Sequence, residues 1–398
     1  MNEILKEQHF MKILIVSLFL PMKKSYHAGG RFVYEMLKEL SGRHEIYLAT
    51  RLEKKELPYL EDLKPFCREI YPYIYKSVDK RGLLDITKLI LNYLGFSLYA
   101  NKLARNSYFD IVQVEWVESA LMMKKGNIPM ILDAHDVITK PARRRYLLST
   151  NLFQKIFNYI TFRIFERMEL YIARKFDRIF TRSKVDRDIL IGLDERLNID
   201  IVPHPVISNN TGWLSNVQRE PNTILFSGAM HRQVNIQAAL YFYKEILPFI
   251  RKEIPGVKFY IVGNNPPDEI KRLTQNDENV VVTGFVEDLE PYYLMASVFV
   301  SPMLIGGGII AKNIDAMFYG LPVVTTSIGN EGIEASPGMD ILVEDAPESF
   351  AKCVTKILKD PKLWEQISFN GNRYVRERFD KKRVWETVGR AYSEFRQQ

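Results

Sequence analysis

The sequence predicts an α/β protein of two Rossmann-like domains, each with a doubly wound parallel sheet, that face each other across a cleft. The chain has 398 residues. Chains of this length usually fold into more than one domain, each with its own hydrophobic core. Apolar runs typical of buried strands alternate with helical periodicity in both halves of the sequence. Residues 207–222, between the halves, are rich in Asn, Ser and Gly and show no periodicity, which indicates a linker.

The first half begins with a strand-like run at residues 12–18, after an irregular start. A loop is expected next, ending in Ala28, Gly29 and Gly30, and a helix follows the two glycines. The aromatic-rich segment 57–107 is predicted to be helical, without a clear strand. The remaining apolar runs of this half predict strands at residues 44–50, 110–115, 129–133, 177–181 and 199–203.

The second half repeats the alternation. A helix predicted at residues 311–319 has Gly320 just beyond it and Pro322 next, which is a common stop signal. Other helices are expected at residues 236–250 and 292–297 and toward the C-terminus. The predicted strands are residues 223–226, 257–262, 280–282, 298–302 and 323–325.

Ligands of doubly wound sheets bind at the carboxyl ends of the strands. There, Gly306, Gly307 and Gly308 follow a predicted strand and open a helix. Residues without a Cβ let backbone N–H groups approach a ligand, and a helix N-terminus favours anions, so this segment predicts a phosphate cradle; the alternative is a tight turn. Lys312 and Asp315 share one helix face. Asp315 could accept hydrogen bonds from ribose hydroxyls, or the two residues could simply form an ion pair.

Three further positions lie at predicted strand ends. Gly29 and Gly30 occupy the equivalent strand-to-helix position of the first domain, as a ligand-contacting loop or a plain turn. His135 follows a strand and titrates near neutrality, so it is either catalytic or structural. Arg232 follows Gly228 at the end of the second domain's first strand, where a cation could meet a diphosphate.

No metal site is predicted. The chain has two cysteines and six histidines, and no histidine pair has ligand spacing. Asp186 and Asp188 match a short motif that binds Mn²⁺ in some sugar transferases. They follow Ser183, a good N-cap, and in a helix residues two apart point in different directions. We therefore expect both to be solvated charges.

Positive charge is concentrated in one segment. Residues 140–187 contain thirteen Lys or Arg and four Asp or Glu, in a chain with a net charge of +7. Apolar residues at helical spacing predict a long amphipathic helix with a basic face. They are Phe153, Phe157, Ile160, Ile164, Met168 and Ile172. The basic face is either a solvated surface of a core-packed helix or a surface for an anionic membrane or substrate. No motif that reads nucleic acid accompanies it.

Several segments together resemble the two-domain GT-B glycosyltransferases, specifically the retaining enzymes of family four and their exopolysaccharide-locus members. The resemblance is dense over residues 226–333, including FSGAMHRQVNIQAALYF, FYIVGNNP and the segment from SPMLIGGG to GNEGI. The final stretch resembles the helix that returns to the first domain. The expected domains are therefore residues 11–206 with 378–398 on the acceptor side, and residues 223–377 on the donor side.

The resemblance implies a role for each candidate. The loop of Gly306, Gly307, Gly308 and Ile309, with Gly228 and Arg232, would bind the donor diphosphate. Gly284, Phe285 and Val286 would hold the base, and Asp315 stands where the family usually has a Glu on the ribose. Lys312 and Arg232 could replace the usual cations, which are absent from their register. His135 would lie beside the transferred sugar, and Gly29 and Gly30 would belong to the acceptor-side loop. No metal or other cofactor is required if cations and backbone donors neutralise the leaving group.

The implied function is retaining transfer of a hexose or related sugar from a nucleotide sugar to a glycan or lipid-linked acceptor, in surface polysaccharide or glycoconjugate synthesis. A cytoplasmic protein is expected. If residues 140–187 bind an anionic membrane, the alternative to a solvated surface, the protein is peripheral on the inner face of the plasma membrane. Two alternatives stay open. One is a nucleotide-sugar epimerase of the same layout, and the other is a degenerate transferase that acts as a scaffold.

Overall fold

The computed structural model describes residues 10–23, 28–76, 83–106, 108–206, 218–306 and 308–396. They divide into two compact units, which are Met1–Pro203 with Val384–Gln398, and His204–Arg383. Residues 207–217 of the predicted linker lie outside the described residues. The C-terminal end of the predicted linker is fixed to the second unit, because the Arg219 guanidinium donates to the carbonyls of Tyr293, Ala296 and Tyr319.

The first unit contains a seven-stranded sheet in the order β3-β2-β1-β4-β5-β6-β7, with every neighbouring pair parallel. Its strands are β1 (Lys12–Ser17), β2 (Glu45–Glu53), β3 (Glu69–Tyr75), β4 (Ile111–Glu115), β5 (Met130–Ala134), β6 (Arg178–Thr181) and β7 (Ile199–Ile201). Its α-helices are α1 (Ala28–Leu40), α2 (Leu83–Ala104), α3 (Thr139–Leu147), α4 (Leu152–Ala173) and α5 (Lys184–Leu193). A single core covers both faces of the sheet, as a parallel sheet requires.

The second unit contains a six-stranded parallel sheet in the order β10-β9-β8-β11-β12-β13. Its strands are β8 (Thr223–Ser227), β9 (Lys258–Val262), β10 (Val280–Gly284), β11 (Val298–Ser301), β12 (Val323–Thr325) and β13 (Leu342–Val343). Its helices are α6 (Gln233–Tyr241), α7 (Leu247–Glu253), α8 (Asp268–Asn276), α9 (Glu290–Met295), α10 (Ala311–Phe318), α11 (Ser327–Asn330), α12 (Pro347–Lys359) and α13 (Pro361–Arg378). The prediction of two doubly wound parallel sheets is confirmed.

The last helix, α14 (Lys381–Phe395), belongs to the first unit from Val384 onward. Trp385 and Tyr392 lie in the core of that unit, and the Trp385 ring centroid is 5.2 Å from that of Phe32 in α1. The C-terminus is therefore part of the first sheet's packing, although it follows the whole second unit in sequence.

Two predictions about local structure are wrong. The segment 57–107 contains a strand, β3, which the sequence conceals because Pro72 interrupts it; proline is tolerated there because β3 lies at the sheet edge. Gly29 and Gly30 do not end a loop. They lie in the first turn of α1, which begins at Ala28, and both are buried.

Candidate active site

Two glycines bring the carboxyl ends of β8 and β9 into close contact. A Cβ on Gly263 would lie 1.7 Å from the carbonyl oxygen of Gly228, and a Cβ on Gly228 would lie 2.8 Å from Nδ2 of Asn235. Neither position can therefore carry a side chain without displacing its neighbour. Asn235 also donates from Nδ2 to the Ala229 carbonyl at 3.0 Å, so the start of α6 is fixed against the end of β8.

A lysine from a different element reaches the same point. The Lys312 ammonium, in the first turn of α10, donates to Oδ1 of Asn235 at 2.9 Å and lies 4.0 Å from the centroid of the Phe226 ring. Burial, and then the nearby charge of Arg232, lower the pKa of Lys312 to about 7. Two cations thus converge at the carboxyl ends of β8 and β11, and a bound anion would stabilise the charge of both.

Both helices that begin at this edge offer backbone donors. Arg232 is the N-cap residue of α6 and Ile310 that of α10, and neither residue's own side chain caps its helix. The first N–H groups of a helix have no partner within it, and the helix dipole favours an anion there. The two helix starts and the two cations therefore have the chemistry that suits an anionic ligand.

The glycine loop between β11 and α10 is buttressed from a neighbouring segment. A Cβ on Gly306 would lie 3.1 Å from Cγ2 of Ile328, and a Cβ on Gly332 would lie 3.1 Å from Cα of Ile309. Gly308 is half-buried, and Gly307 lies outside the described residues. The close packing holds the loop main chain in place beside the start of α10.

The residues predicted for the base and ribose occupy two places in the second unit. Asp315 is half-buried in α10, one turn beyond Lys312. Gly284 ends β10 with φ at 74°, a conformation that disfavours other residues, and Phe285 follows with 61% of its surface exposed. Val286 packs against the core. The backbone turn at Gly284 thus leaves the Phe285 ring open to a ligand.

In the first unit, His135 lies in a buried charge cluster at the carboxyl ends of β4, β5 and β6. Its exposed fraction is 4%, and its Nε2 is 2.7 Å from Oε2 of Glu115. Arg182 places Nη2 2.6 Å from Oδ1 of Asp133 and 3.1 Å from Nε2 of His135. The imidazole stacks on the indole of Trp116 at a centroid distance of 4.0 Å.

Trp116 in this cluster has an unusual backbone conformation, and Glu115 is linked by hydrogen bonds to the last helix of the chain. Trp116 is a non-glycine residue with φ at 66°, and such conformations persist where surrounding packing enforces them. Tyr392, in α14, donates its hydroxyl to Oε1 of Gln113 at 2.6 Å. Gln113 in turn donates to Oε1 of Glu115 at 2.6 Å. The orientation of the Glu115 carboxylate beside His135 therefore depends on the last helix of the chain.

Burial raises the pKa of both carboxyl groups in this cluster. The pKa of Glu115 rises well above its usual value because the group is fully buried and faces Asp133. The pKa of Asp133 rises too, but the Arg182 guanidinium opposes the shift. Glu115, Asp133 and His135 have ligand atoms within 4.8 Å of one another, as a metal site requires. Arg182 already supplies the positive charge that a cation would bring.

Sequence reasoning found His135 but missed Glu115 and Arg182. Each is a polar residue at or just after the end of an apolar strand, and that shared position is the signal that could have identified them.

The interpretation of Asp186 as solvated is wrong. Asp186 is 1% exposed and its Oδ1 is 3.1 Å from the Lys140 ammonium, whereas Asp188 is exposed and pairs with Arg187.

Two family models match consecutive parts of the chain. The model described as "Glycosyltransferase Family 4" matches residues 29–209, and the model described as "Glycosyl transferases group 1" matches residues 221–360. The chain is a glycosyltransferase of the family four type. The first match covers most of the first unit and the His135 cluster, and the second covers the cation site of Arg232 and Lys312. The predicted enzyme class is confirmed.

Known relatives of this glycosyltransferase include polysaccharide-region proteins. A protein of the cps region of Klebsiella pneumoniae, named only by its mass, is 24% identical over 390 residues, which are 95% of this chain and 98% of that protein. The capsular polysaccharide biosynthesis glycosyltransferase CapM of Staphylococcus aureus is 30% identical over 148 residues, covering 35% of this chain and 38% of CapM. A structure of a TarM variant of S. aureus with UDP, fondaparinux and α-GlcNAc-glycerol superposes with a TM-score of 0.70 at 11% identity, over 96% of this chain and 100% of TarM. That likeness shows the GT-B fold.

Proposed function

We propose that this glycosyltransferase moves a sugar from a nucleoside-diphosphate sugar to a glycan or lipid-linked acceptor in polysaccharide synthesis, with retention of configuration. The observation that carries the proposal is the convergence of Lys312, Arg232 and two uncapped helix starts at one edge of the second sheet. Cations and backbone N–H groups together suit a diphosphate. The TarM structure, which contains UDP, supports a nucleotide donor.

The donor site supplies leaving-group stabilisation. Lys312, Arg232 and the main chain of Gly306, Gly308 and Ile309 would neutralise the charge that develops on the diphosphate as its bond to the anomeric carbon breaks. The acceptor oxygen then bonds to the same face of that carbon, and its proton passes to the leaving diphosphate oxygen. These groups supply the required positive charge, so we propose that transfer needs no metal ion.

The remaining candidate residues would bind the ribose, the base and the transferred sugar. Asp315 would bind the ribose hydroxyls, and the Gly284 turn with Val286 would hold the base. In the first unit, the His135 cluster would set the position of the transferred sugar.

Replacing His135 by alanine should therefore abolish transfer and leave nucleotide binding unchanged, because the proposed nucleotide site belongs to the other unit. Parallel loss of nucleotide affinity in the variant would contradict this division of roles.

The first experiment identifies the donor. Thermal unfolding is measured with UDP, GDP, ADP and dTDP, each with EDTA and with Mg²⁺. A ligand at about 100 times its Kd stabilises the folded state by roughly 2.7 kcal/mol, which gives a readable shift. We expect one nucleoside diphosphate to shift the transition in EDTA. If none of the four nucleotides shifts the unfolding transition, the donor proposal is contradicted and a non-catalytic scaffold is favoured.

A second experiment identifies the reaction. The matching nucleotide sugar is incubated with and without lipid-linked and oligosaccharide acceptors, and the products are analysed by NMR. An acceptor-dependent product with the donor's anomeric configuration is expected. A changed nucleotide sugar in the absence of acceptor would instead indicate an epimerase.

Phe285 offers a specific prediction about the nucleotide. Its exposed ring follows the Gly284 turn, and stacking of a base on an aromatic ring contributes about 1–3 kcal/mol. Replacing Phe285 by alanine should therefore weaken nucleotide binding by roughly tenfold or more in calorimetry, with little change in thermal stability. The matched control is Phe249→Ala, another exposed phenylalanine of the second unit. Equal affinity of Phe285→Ala and the wild type would place the base elsewhere.

A further inference from the structure

We infer that the outer face of α4 docks the protein on an anionic lipid bilayer by inserting apolar side chains into the membrane interface. The outer face is the stripe formed by Phe153, Ile156, Phe157, Ile160, Ile164 and Tyr171, all of which are exposed. Phe153 is 84% exposed, Phe157 68% and Ile160 52%. A contiguous exposed apolar patch on a soluble domain marks a binding surface.

The stripe is a second apolar face, on the opposite side of the helix from its packing face. The buried residues of α4 are Phe162, Glu169, Ile172 and Ala173. At 100° per residue, this set centres on the side of the helix opposite to Phe153, Ile160 and Ile164. Of the two alternatives left open by the sequence, the core-packed helix does not apply to Phe153, Phe157, Ile160 and Ile164, which are exposed. Among the described residues of that series, Met168 and Ile172 contact the core.

Helix α4, which carries the outer face, is held in place by hydrogen bonds to the start of α3. Glu169 accepts hydrogen bonds from the backbone N–H groups of Ile138 at 2.9 Å and Thr139 at 3.1 Å, so it fixes the start of α3 to α4. The buried pair of Lys140 and Asp186 links α3 to α5. The exposed stripe is therefore a surface of a packed helix pair, and α3 begins only four residues after His135.

The charge pattern around the outer face of α4 favours an anionic bilayer as its binding partner. Residues 140–165 contain no Asp or Glu, and Arg143 and Arg145 are exposed in α3. Arg163 and Arg167 are exposed in α4 beside the apolar stripe. A basic rim around an apolar face is typical of helices that lie in an anionic membrane interface. A second copy of the chain is a poor partner, because a symmetric contact through this face would bring like charges together.

The geometry suits a helix lying in the plane of the interface. The 22 residues of α4 span about 33 Å. None of the helices in the described parts of the chain is long and apolar enough to cross a membrane. The inference does not rest on the donor site, which belongs to the second unit.

The test is flotation of the full chain with vesicles of phosphatidylcholine, with and without phosphatidylglycerol. The wild type should float with the anionic vesicles, and added salt should weaken the binding. The triple variant Phe153→Ser, Phe157→Ser and Ile160→Ser should lower the partition coefficient by about 100-fold or more. The variant Arg143→Gln, Arg145→Gln and Arg167→Gln should lose about fivefold per removed charge on anionic vesicles.

Matched controls separate this effect from general surface changes. Ile90→Ser, Leu91→Ser and Leu98→Ser remove three exposed apolar groups from α2. Lys252→Gln, Lys271→Gln and Lys352→Gln remove three exposed charges of the second unit. Both controls should float like the wild type, and all variants should keep the wild-type melting temperature and nucleotide affinity. Flotation of the Phe153 triple variant at wild-type levels would overturn the inference. A wild-type dimer in sedimentation that this variant dissociates, with no vesicle binding, would assign the face to self-association instead.

Discussion

Replacing Lys312 by methionine is expected to weaken binding of the donor nucleotide sugar by about 100-fold, because a charge-assisted contact with the diphosphate is lost. The fold should tolerate the change. Burial and Arg232 disfavour the charged form of Lys312 in the free protein, so methionine removes a group whose charge costs stability. The melting temperature should therefore stay the same or rise. Isothermal calorimetry and thermal unfolding measure the two effects separately.

Lys352, an exposed lysine of α12 that pairs with Glu348, supplies the control for this prediction. Its replacement by methionine should change neither nucleotide affinity nor the melting temperature by a measurable amount, since exposed pairs contribute little. Wild-type affinity of the Lys312→Met protein would show that the diphosphate binds away from this lysine.

The same lysine makes donor binding depend on pH. In the free protein the pKa of Lys312 is about 7, so above that pH the amine is mostly neutral. The diphosphate favours the charged form, and binding above pH 7 must therefore take up a proton. Affinity for the nucleotide sugar should fall as pH rises from 7 to 9, by up to about tenfold per pH unit. Lys312→Arg should lose this slope because arginine stays charged. A flat profile for the wild type would contradict the prediction.

Replacing Arg182 by methionine is expected to lower the stability of the first unit by about 3–5 kcal/mol, because it leaves buried carboxylates without their counter-charge. Arg182 is 1% exposed, contacts Asp133 at 2.6 Å and donates to the Val202 carbonyl at 2.7 Å. For a unit of this size the loss corresponds to a decrease in melting temperature of roughly 6–20 °C. Differential scanning calorimetry measures it directly.

The pH dependence identifies the cause of that loss. Arg182 opposes the rise in the pKa values of Glu115 and Asp133, so these values should be higher in folded Arg182→Met than in the wild type. As pH falls, the folded variant therefore takes up protons before the wild type does, and its stability deficit should shrink. Adding Asp133→Asn should recover part of the stability at neutral pH. The control is Arg196→Met, which removes an exposed partner of Asp194 and should cost less than about 1 kcal/mol. A deficit of that small size for Arg182→Met would show that the cluster does not depend on its arginine.

The sequence could predict that the main elements of the proposed donor site lie close together, because these elements are local. The glycine loop, Lys312 and Asp315 follow one strand within a few residues, and a strand-loop-helix unit fixes their arrangement. What remained hidden was the contact of Lys312 with Asn235, whose Oδ1 orients the ammonium toward the start of α6. Those two residues are 77 positions apart, and only the neighbouring order of β8 and β11 brings them together.

Hydrophobic periodicity and short glycine motifs are properties of contiguous residues, so the two parallel sheets, the enzyme family and the strand-end position of His135 could be predicted from the amino-acid sequence. Packing in the folded protein determines which apolar and charged residues are buried. It placed Asp186 inside and the Phe153 stripe outside, against the expectation from periodicity. A helix with apolar residues around most of its circumference has no unique inner face in sequence. Its neighbours decide which side is covered, and here α3 is fixed to α4 by Glu169, which accepts from the backbone N–H groups of Ile138 and Thr139.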